Sequence, residues 1–177
     1  MEKYYINNNI ELRELENGYQ LEILVNDYRD SKLLNGKNGK FIENIPKETW
    51  ENAINENPNI ELLVDHSPYV NIAENIEFQI REDGVYAIAT LTNKAKTLYN
   101  SIKEYGVNGI SFGFKCISDK WNGIKRTINK MDLSEISILM NKQPAYNGGY
   151  AEVRNIEIPL DSIFLKKLRL NLHKLRG

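Results

Sequence analysis

Alternation of apolar and polar residues dominates this chain, and the fold it predicts is mainly β with helices, an α+β arrangement built as an antiparallel β-barrel wrapped by helices. Three observations lead there. About seven or eight segments carry the two-residue period of a strand, and about two or three carry a helical period. The length, 177 residues, suits about one domain with a real core. Hydrophobic residues at 41% against charged residues at 27% describe a chain that folds rather than one that stays disordered.

The elements follow in order. Residues 10–15 and 19–25 alternate, and Glu16-Asn17-Gly18 between them predicts a hairpin. Residues 29–40 are polar, contain Gly36 and Gly39, and predict a surface loop. Pro46 opens a helix running to about Asn57, with Glu48 at its positive end. Residues 60–64 form a short apolar strand ending at Asp65-His66. Ile76, Phe78 and Ile80 alternate with polar residues, Glu82-Asp83-Gly84 turns the chain, and 85–92 is a strand packed on both faces. Ala95, Leu98, Tyr99 and Ile102 predict a helix over 93–105, stopped by Gly106. Strands are expected at 109–117, 124–129 and 133–140, a loop over 141–149, and a last strand at 151–158.

These elements place one barrel domain over residues 1–158. Residues 159–177 read as a separate basic amphipathic helix. Phe164, Leu168, Leu172 and Leu175 form one stripe, and Lys166, Lys167, Arg169, Lys174 and Arg176 against Asp161 leave a charge of +4. Such a helix serves equally to dock on the barrel, to dimerise or to hold a partner.

Charge and composition exclude several functions. A formal net charge of −1 argues against a nucleic-acid binder acting by bulk electrostatics. A single cysteine, Cys116, allows no internal disulfide. With only His66 and His173 beside it, a Cys/His zinc site is not expected, and no cofactor is. The polar amino terminus is no signal peptide, and no run of about 18 apolar residues is present, so no membrane partner is expected. An intracellular, reduced protein is the expectation.

Three positions carry candidate chemistry. His66 ends an apolar strand, where a rigid backbone can aim an imidazole that takes up a proton near neutral pH. Ser111 stands between Gly109 and Gly113; Ile110, Phe112, Phe114 and Cys116 alternate with it toward the core, so Ser111, Gly113 and Lys115 face the other way. The flanking glycines would let a substrate backbone approach. Ile136, Ile138 and Met140 share one face, which puts Glu135 and Ser137 on the opposite one. A carboxylate beside a histidine fixes its tautomer and stabilises the imidazolium; Asp65 and Asp132 compete with Glu135 for that role. Each position also has an ordinary reading: a loop-capping histidine, a strand serine, an exposed strand glutamate. The segment 109–113 matches G-x-S-x-G, yet a nucleophile elbow needs a helix directly after the serine and a histidine later in the chain. Here strand alternation continues, and the only later histidine is His173.

The ordered pieces Leu62-Leu63-Val64-Asp65-His66, Gly109-Ile110-Ser111-Phe112-Gly113-Phe114, Leu133-Ser134-Glu135-Ile136-Ser137 and Pro144-Ala145 resemble the caudovirus prohead serine proteases. Asn44-Ile45-Pro46 to Trp50 and the turn Glu82-Asp83-Gly84 resemble further family segments, so that the likeness spans roughly residues 10–155. The resemblance implies a fold like that of the herpesvirus assemblin proteases, whose serine and two histidines follow the same chain order. It implies Ser111 as nucleophile, His66 as general base and Glu135 as the residue that orients His66. It also implies a serine endopeptidase of virion maturation that cleaves scaffold, or an amino-terminal extension of the major capsid protein, and itself inside the assembling procapsid in the host cytoplasm. A homodimer or higher homo-oligomer is expected. Two departures, Ser67 directly after the histidine and Ala73 where a glycine is common, touch the substrate loops. The alternative is a non-catalytic scaffold or capsid adaptor on the same fold.

Overall fold

The computed structural model describes residues 3–6, 10–16, 18–37, 39–69, 71–141 and 146. The expected strand at 151–158, the helix at 159–177, His173, Pro144-Ala145 and all of the 141–149 loop except Asn141 and Tyr146 lie outside the described residues.

The first sheet is wholly antiparallel, in the order β1-β2-β3-β8-β7. It comprises β1 (Lys3–Ile6), β2 (Ile10–Leu15), β3 (Gly18–Asn26), β7 (Ala73–Ile80) and β8 (Val85–Leu91). Alternation works as expected here: Ile10 and Leu12, Leu21, Ile23 and Val25, and Val85, Ala87, Ala89 and Leu91 are buried on one face. The opposite face of β8 is half-buried, not packed, so that strand is covered on one side only. β1 forms in an amino terminus too polar to signal a strand.

The second sheet is organised by β10 (Lys125–Leu139). Along one edge it pairs antiparallel with β9 (Gly109–Asn122). Along the other edge it pairs parallel with β5 (Gly39–Asn44) at its start and with β6 (Glu61–Val64) at its end, and β4 (Leu34–Gly36) continues the sheet beyond β5. Helix α1 (Lys47–Glu56) connects β5 to β6 and covers the gap between them. Thr49 donates to the Ile128 carbonyl at 3.0 Å, and Asn57, just past the helix, donates to the Leu133 carbonyl at 2.8 Å. Carbonyls of β10 that no strand reaches thus keep partners. Two parallel pairings stand where an all-antiparallel barrel was expected, and the pairings among the described residues leave two open sheets rather than a closed barrel.

Two other expectations change. The presumed loop 29–40 contains β4 and the start of β5, a hairpin whose Leu34 and Phe41 are fully buried; the three residues of β4 carry too few alternations to be read. The segments expected at 124–129 and 133–140 are one strand, β10, broken in phase by bulges. Met131 and Leu133 point into the core before the bulge at Ser134; Ile136 and Ile138 do so after it. Helix α2 (Lys96–Tyr105), entered through a 3-10 turn at Asn93–Ala95, buries Tyr99 and Ile102 as its spacing predicts.

The core joins both sheets. The Phe112 ring lies 4.8 Å from that of Trp50 and 5.2 Å from that of Tyr146. Tyr146 also donates to Glu43 at 2.8 Å. Glu43 is fully buried and pairs with Arg126 at 2.8 Å, while Arg126 reaches Asp119 at 2.6 Å. A buried carboxylate survives only with such partners. Arg126→Ala is therefore expected to cost about 3–5 kcal/mol in urea unfolding, because it strands Glu43, and the double change Arg126→Leu with Glu43→Leu less than that.

Candidate active site

Strand register assembles the candidate residues. Across β9, β10 and β6 one rung joins Ser111, Ser137 and Leu63, the next joins Phe112, Ile136 and Leu62, and the one after that joins Gly113, Glu135 and Glu61. Residues directly opposite share a face and faces alternate from rung to rung, so Ser111 and Glu135, two rungs apart, lie on one side of the sheet. The bulge makes this possible. The extra residue Ser134 shifts β10 by one position, placing Glu135 opposite Gly113 while Leu133 stays in the core opposite Phe114. The Ser134 hydroxyl donates to the Gly113 carbonyl at 2.9 Å at that point.

His66 arrives from the end of β6. Val64 to Ser67 is a tight turn closed by the Ser67 N–H donating to the Val64 carbonyl at 2.9 Å. Asp65 and His66 both take left-handed backbone, with φ of 51° and 60°. Two successive non-glycine residues there cost about 1–3 kcal/mol each and persist only where neighbours hold them. The neighbours do so. The Asp65 N–H donates to the Ile138 carbonyl at 3.0 Å, and the His66 N–H to the Ser137 hydroxyl at 3.0 Å. The Asp65 carboxylate accepts from the Met140 N–H at 3.0 Å, the Asn141 N–H at 3.2 Å and the Asn141 side-chain amide at 3.0 Å.

The imidazole Nδ1 of His66 lies 2.6 Å from Glu135 Oε1, and the Ser137 hydroxyl donates to Glu135 Oε2 at 2.6 Å. The Glu135 side chain is 12% exposed and that of His66 30%, so the pair sits at a surface that substrate can reach. A carboxylate on Nδ1 holds the proton there and leaves Nε2 as the basic nitrogen. Of the three carboxylates the sequence left open, Glu135 reaches the imidazole. Asp65 binds the strand end at Met140 and Asn141, and Asp132 is exposed opposite Lys115. Ser111 is half-buried on the shared face; among the described residues no hydrogen bond joins it to His66. Such contacts commonly tighten only with substrate bound.

Sequence reading missed what Gly113 does. A Cβ there would lie far inside van der Waals contact of Glu135 Oε1 and 3.0 Å from its Cδ and Cγ. The glycine gives room to the carboxylate, where the sequence suggested room for substrate backbone. Its signal was present but unreadable without the register that sets it opposite Glu135.

Cys116 lies further along β9, half-buried, and burial pushes its thiol above the ordinary range, the opposite of an activated nucleophile. Among the described residues no cluster of His, Cys, Asp and Glu is placed to hold a metal ion, and no helix is long and apolar enough to cross a membrane.

Gly113→Ala separates stability from chemistry. The end of a flexible glutamate can swing aside, and alanine suits a strand better than glycine, so unfolding free energy should change by less than about 1 kcal/mol. Peptide cleavage, followed by mass spectrometry, should fall about 100-fold because the carboxylate leaves His66.

A family model described as caudovirus prohead serine protease matches residues 8–159, most of the chain. No curated protein and no solved structure matches it. The match covers all three candidate residues and bears out the resemblance drawn from the four motifs: the chain belongs to the caudovirus prohead serine protease family.

Proposed function

We propose that this chain is the serine endopeptidase of capsid maturation, cleaving scaffold or an amino-terminal extension of the major capsid protein, and itself, inside the prohead. The observation that carries the reading is the Glu135–His66 pair, held two rungs from Ser111 on the same face of the sheet, in a chain that belongs to the family. The Ser111 hydroxyl attacks the scissile carbonyl as His66 Nε2 takes its proton, with Glu135 stabilising the imidazolium. The C–N bond then breaks, the proton passes to the leaving amine, and an acyl-enzyme remains. Water activated by the same imidazole hydrolyses it and restores the serine. Work inside a shell suits the reading: a protease whose substrates are capsid components meets them at high local concentration. We further propose a dimer or higher homo-oligomer as the working form.

The test is intact mass over time, for wild type and Ser111→Ala, each co-expressed with its scaffold or capsid protein. Discrete fragments from wild type, reduced at least about 1,000-fold in Ser111→Ala, are expected. A fluorophosphonate should add to Ser111, and iodoacetamide at neutral pH should leave cleavage intact, because the Cys116 thiol is held protonated by burial. Equal fragmentation in both proteins would overturn Ser111 as nucleophile. Normal assembly with no cleavage in either would favour the adaptor.

A further inference from the structure

Ser137 contributes a second tie between the strands, and the mechanism above does not use it. Its side chain is fully buried in the middle strand of the three, flanked by Ser111 on β9 and Leu63 on β6. A single hydroxyl makes two bonds that both bear on the candidate site. It accepts the His66 N–H at 3.0 Å and donates to Glu135 Oε2 at 2.6 Å. The second distance is that of a charge-assisted O–H···O⁻ bond.

We propose that Ser137 is a positioning residue of the protease: its hydroxyl sets the Glu135 carboxylate on His66 Nδ1 and, through the His66 backbone, fixes the turn that presents the ring. The inference rests on the reading of Ser111, His66 and Glu135 as the catalytic set. The argument is geometric. Glu135 lies across β9 in the space left by Gly113, which has no side chain to confine it. Its two oxygens are therefore oriented by their hydrogen-bond partners. Oε1 has His66, whose ring rotates about two side-chain bonds; Oε2 has Ser137, which is buried in a strand interior. The rigid partner decides where the carboxylate points, and the carboxylate decides the tautomer. The same oxygen atom of Ser137 meets the left-handed His66 backbone, so the ring and the carboxylate are referred to one fixed point. Without the hydroxyl, Glu135 Oε2 and the His66 N–H both lose a partner at once.

The test is a double-mutant cycle with a spectroscopic arm. Ser137→Ala should lower kcat for peptide cleavage about 10- to 100-fold with KM little changed, since a hydrogen bond to a charged group is worth that much and no substrate contact is removed. In a Glu135→Gln background the same change should cost several-fold less than in wild type, because the part of its effect that passes through the carboxylate is already gone and only the tie to the His66 N–H remains. A residue that merely supports the fold would multiply its full loss onto that of Glu135→Gln, and that result would overturn the proposal. Imidazole 15N spectra of the neutral ring, assigned with His173→Gln, should show Nδ1 protonated in wild type and a mixture of tautomers in Ser137→Ala. Wild type with the proton on Nε2, or a tautomer unmoved by Ser137→Ala, would also sink it. If Ser137→Ala fails to fold, Ser137→Cys keeps the volume with a weaker donor; an intermediate loss of kcat supports the role and none opposes it. Should Ser111→Ala cleave like wild type, the catalytic reading fails while the tautomer arm still decides what Ser137 does.

Discussion

The antiparallel ladder between β9 and β10 is the constraint on which the rest depends. Its core side runs without interruption along β9 through Ile110, Phe112 and Phe114, but β10 meets it in two phases. Met131 and Leu133 pair with Cys116 and Phe114; after the bulge, Ile136 and Ile138 pair with Phe112 and Ile110. A strand with strict alternation would have buried Glu135 with Leu133 or exposed Ile136 with Ser134. One extra residue removes that conflict and turns Glu135 and Ser137 onto the face of Ser111. Burying the apolar side chains and assembling the site are therefore one packing problem with one solution.

Parallel pairing with β6 supplies the third member. Because β6 runs alongside the end of β10, its last residue, Val64, delivers the chain to a turn beside Ile138 and Ser137. That turn needs left-handed backbone at Asp65 and His66, and it is held by bonds from three points on the β10 end: Ser137, Ile138 and the Met140–Asn141 amides. Strain of this kind is tolerated where the surroundings over-determine it. The aspartate does a different task from the one its sequence position next to the histidine suggested: it locks the departing β10 chain to the turn. Further along the same chain, Tyr146 is held against Phe112 and Glu43.

Much of this was legible in the residues, for identifiable reasons. Strands β2, β3 and β8 were readable because one face of each is buried and the other is not, so alternation maps directly onto geometry. Helix α2 was readable from Ala95, Tyr99 and Ile102. The chain order of His66, Ser111 and Glu135, and the shared face of Glu135 and Ser137, could be taken from motif and period alone. What escaped depends on partners far away in sequence. The β4–β5 hairpin owes its place to pairing with β10 about 80 residues later, which offsets its poor local propensity. The parallel pairings, and hence the open sheets, follow from α1 crossing over β10, a tertiary fact. The register shifts between Ile128 and Met131 read in the sequence as the end of a strand, while the bulge at Ser134 falls inside the expected strand 133–140 and leaves no mark there. Gly113 looked like an opening for substrate because nothing in the sequence says which residue stands across from it.

The two partly and fully buried carboxylates of this sheet show how charge separates structure from chemistry. Glu43 carries a permanent counter-charge: Arg126 sits directly opposite it in register, with Tyr146 filling the other oxygen. Its field is spent within the core, and a proton moving elsewhere would gain nothing from it. Glu135 has as partners a serine hydroxyl and an imidazole, neither carrying a permanent charge, and stands in register with another carboxylate, Glu61; among the described residues His66 is its only ion-pair partner. In the proposed reaction it would meet its counter-charge as the imidazole takes up the serine's proton. In the proposed mechanism that would be the condition for differential stabilisation: an interaction stronger once a proton has left the serine than before. Dipoles already oriented by the Ser137 hydroxyl and by the strand backbone need no rearrangement when that charge appears. A fold can afford one such carboxylate only if its position is secured by uncharged groups, which is the arrangement that β10 builds around Glu135.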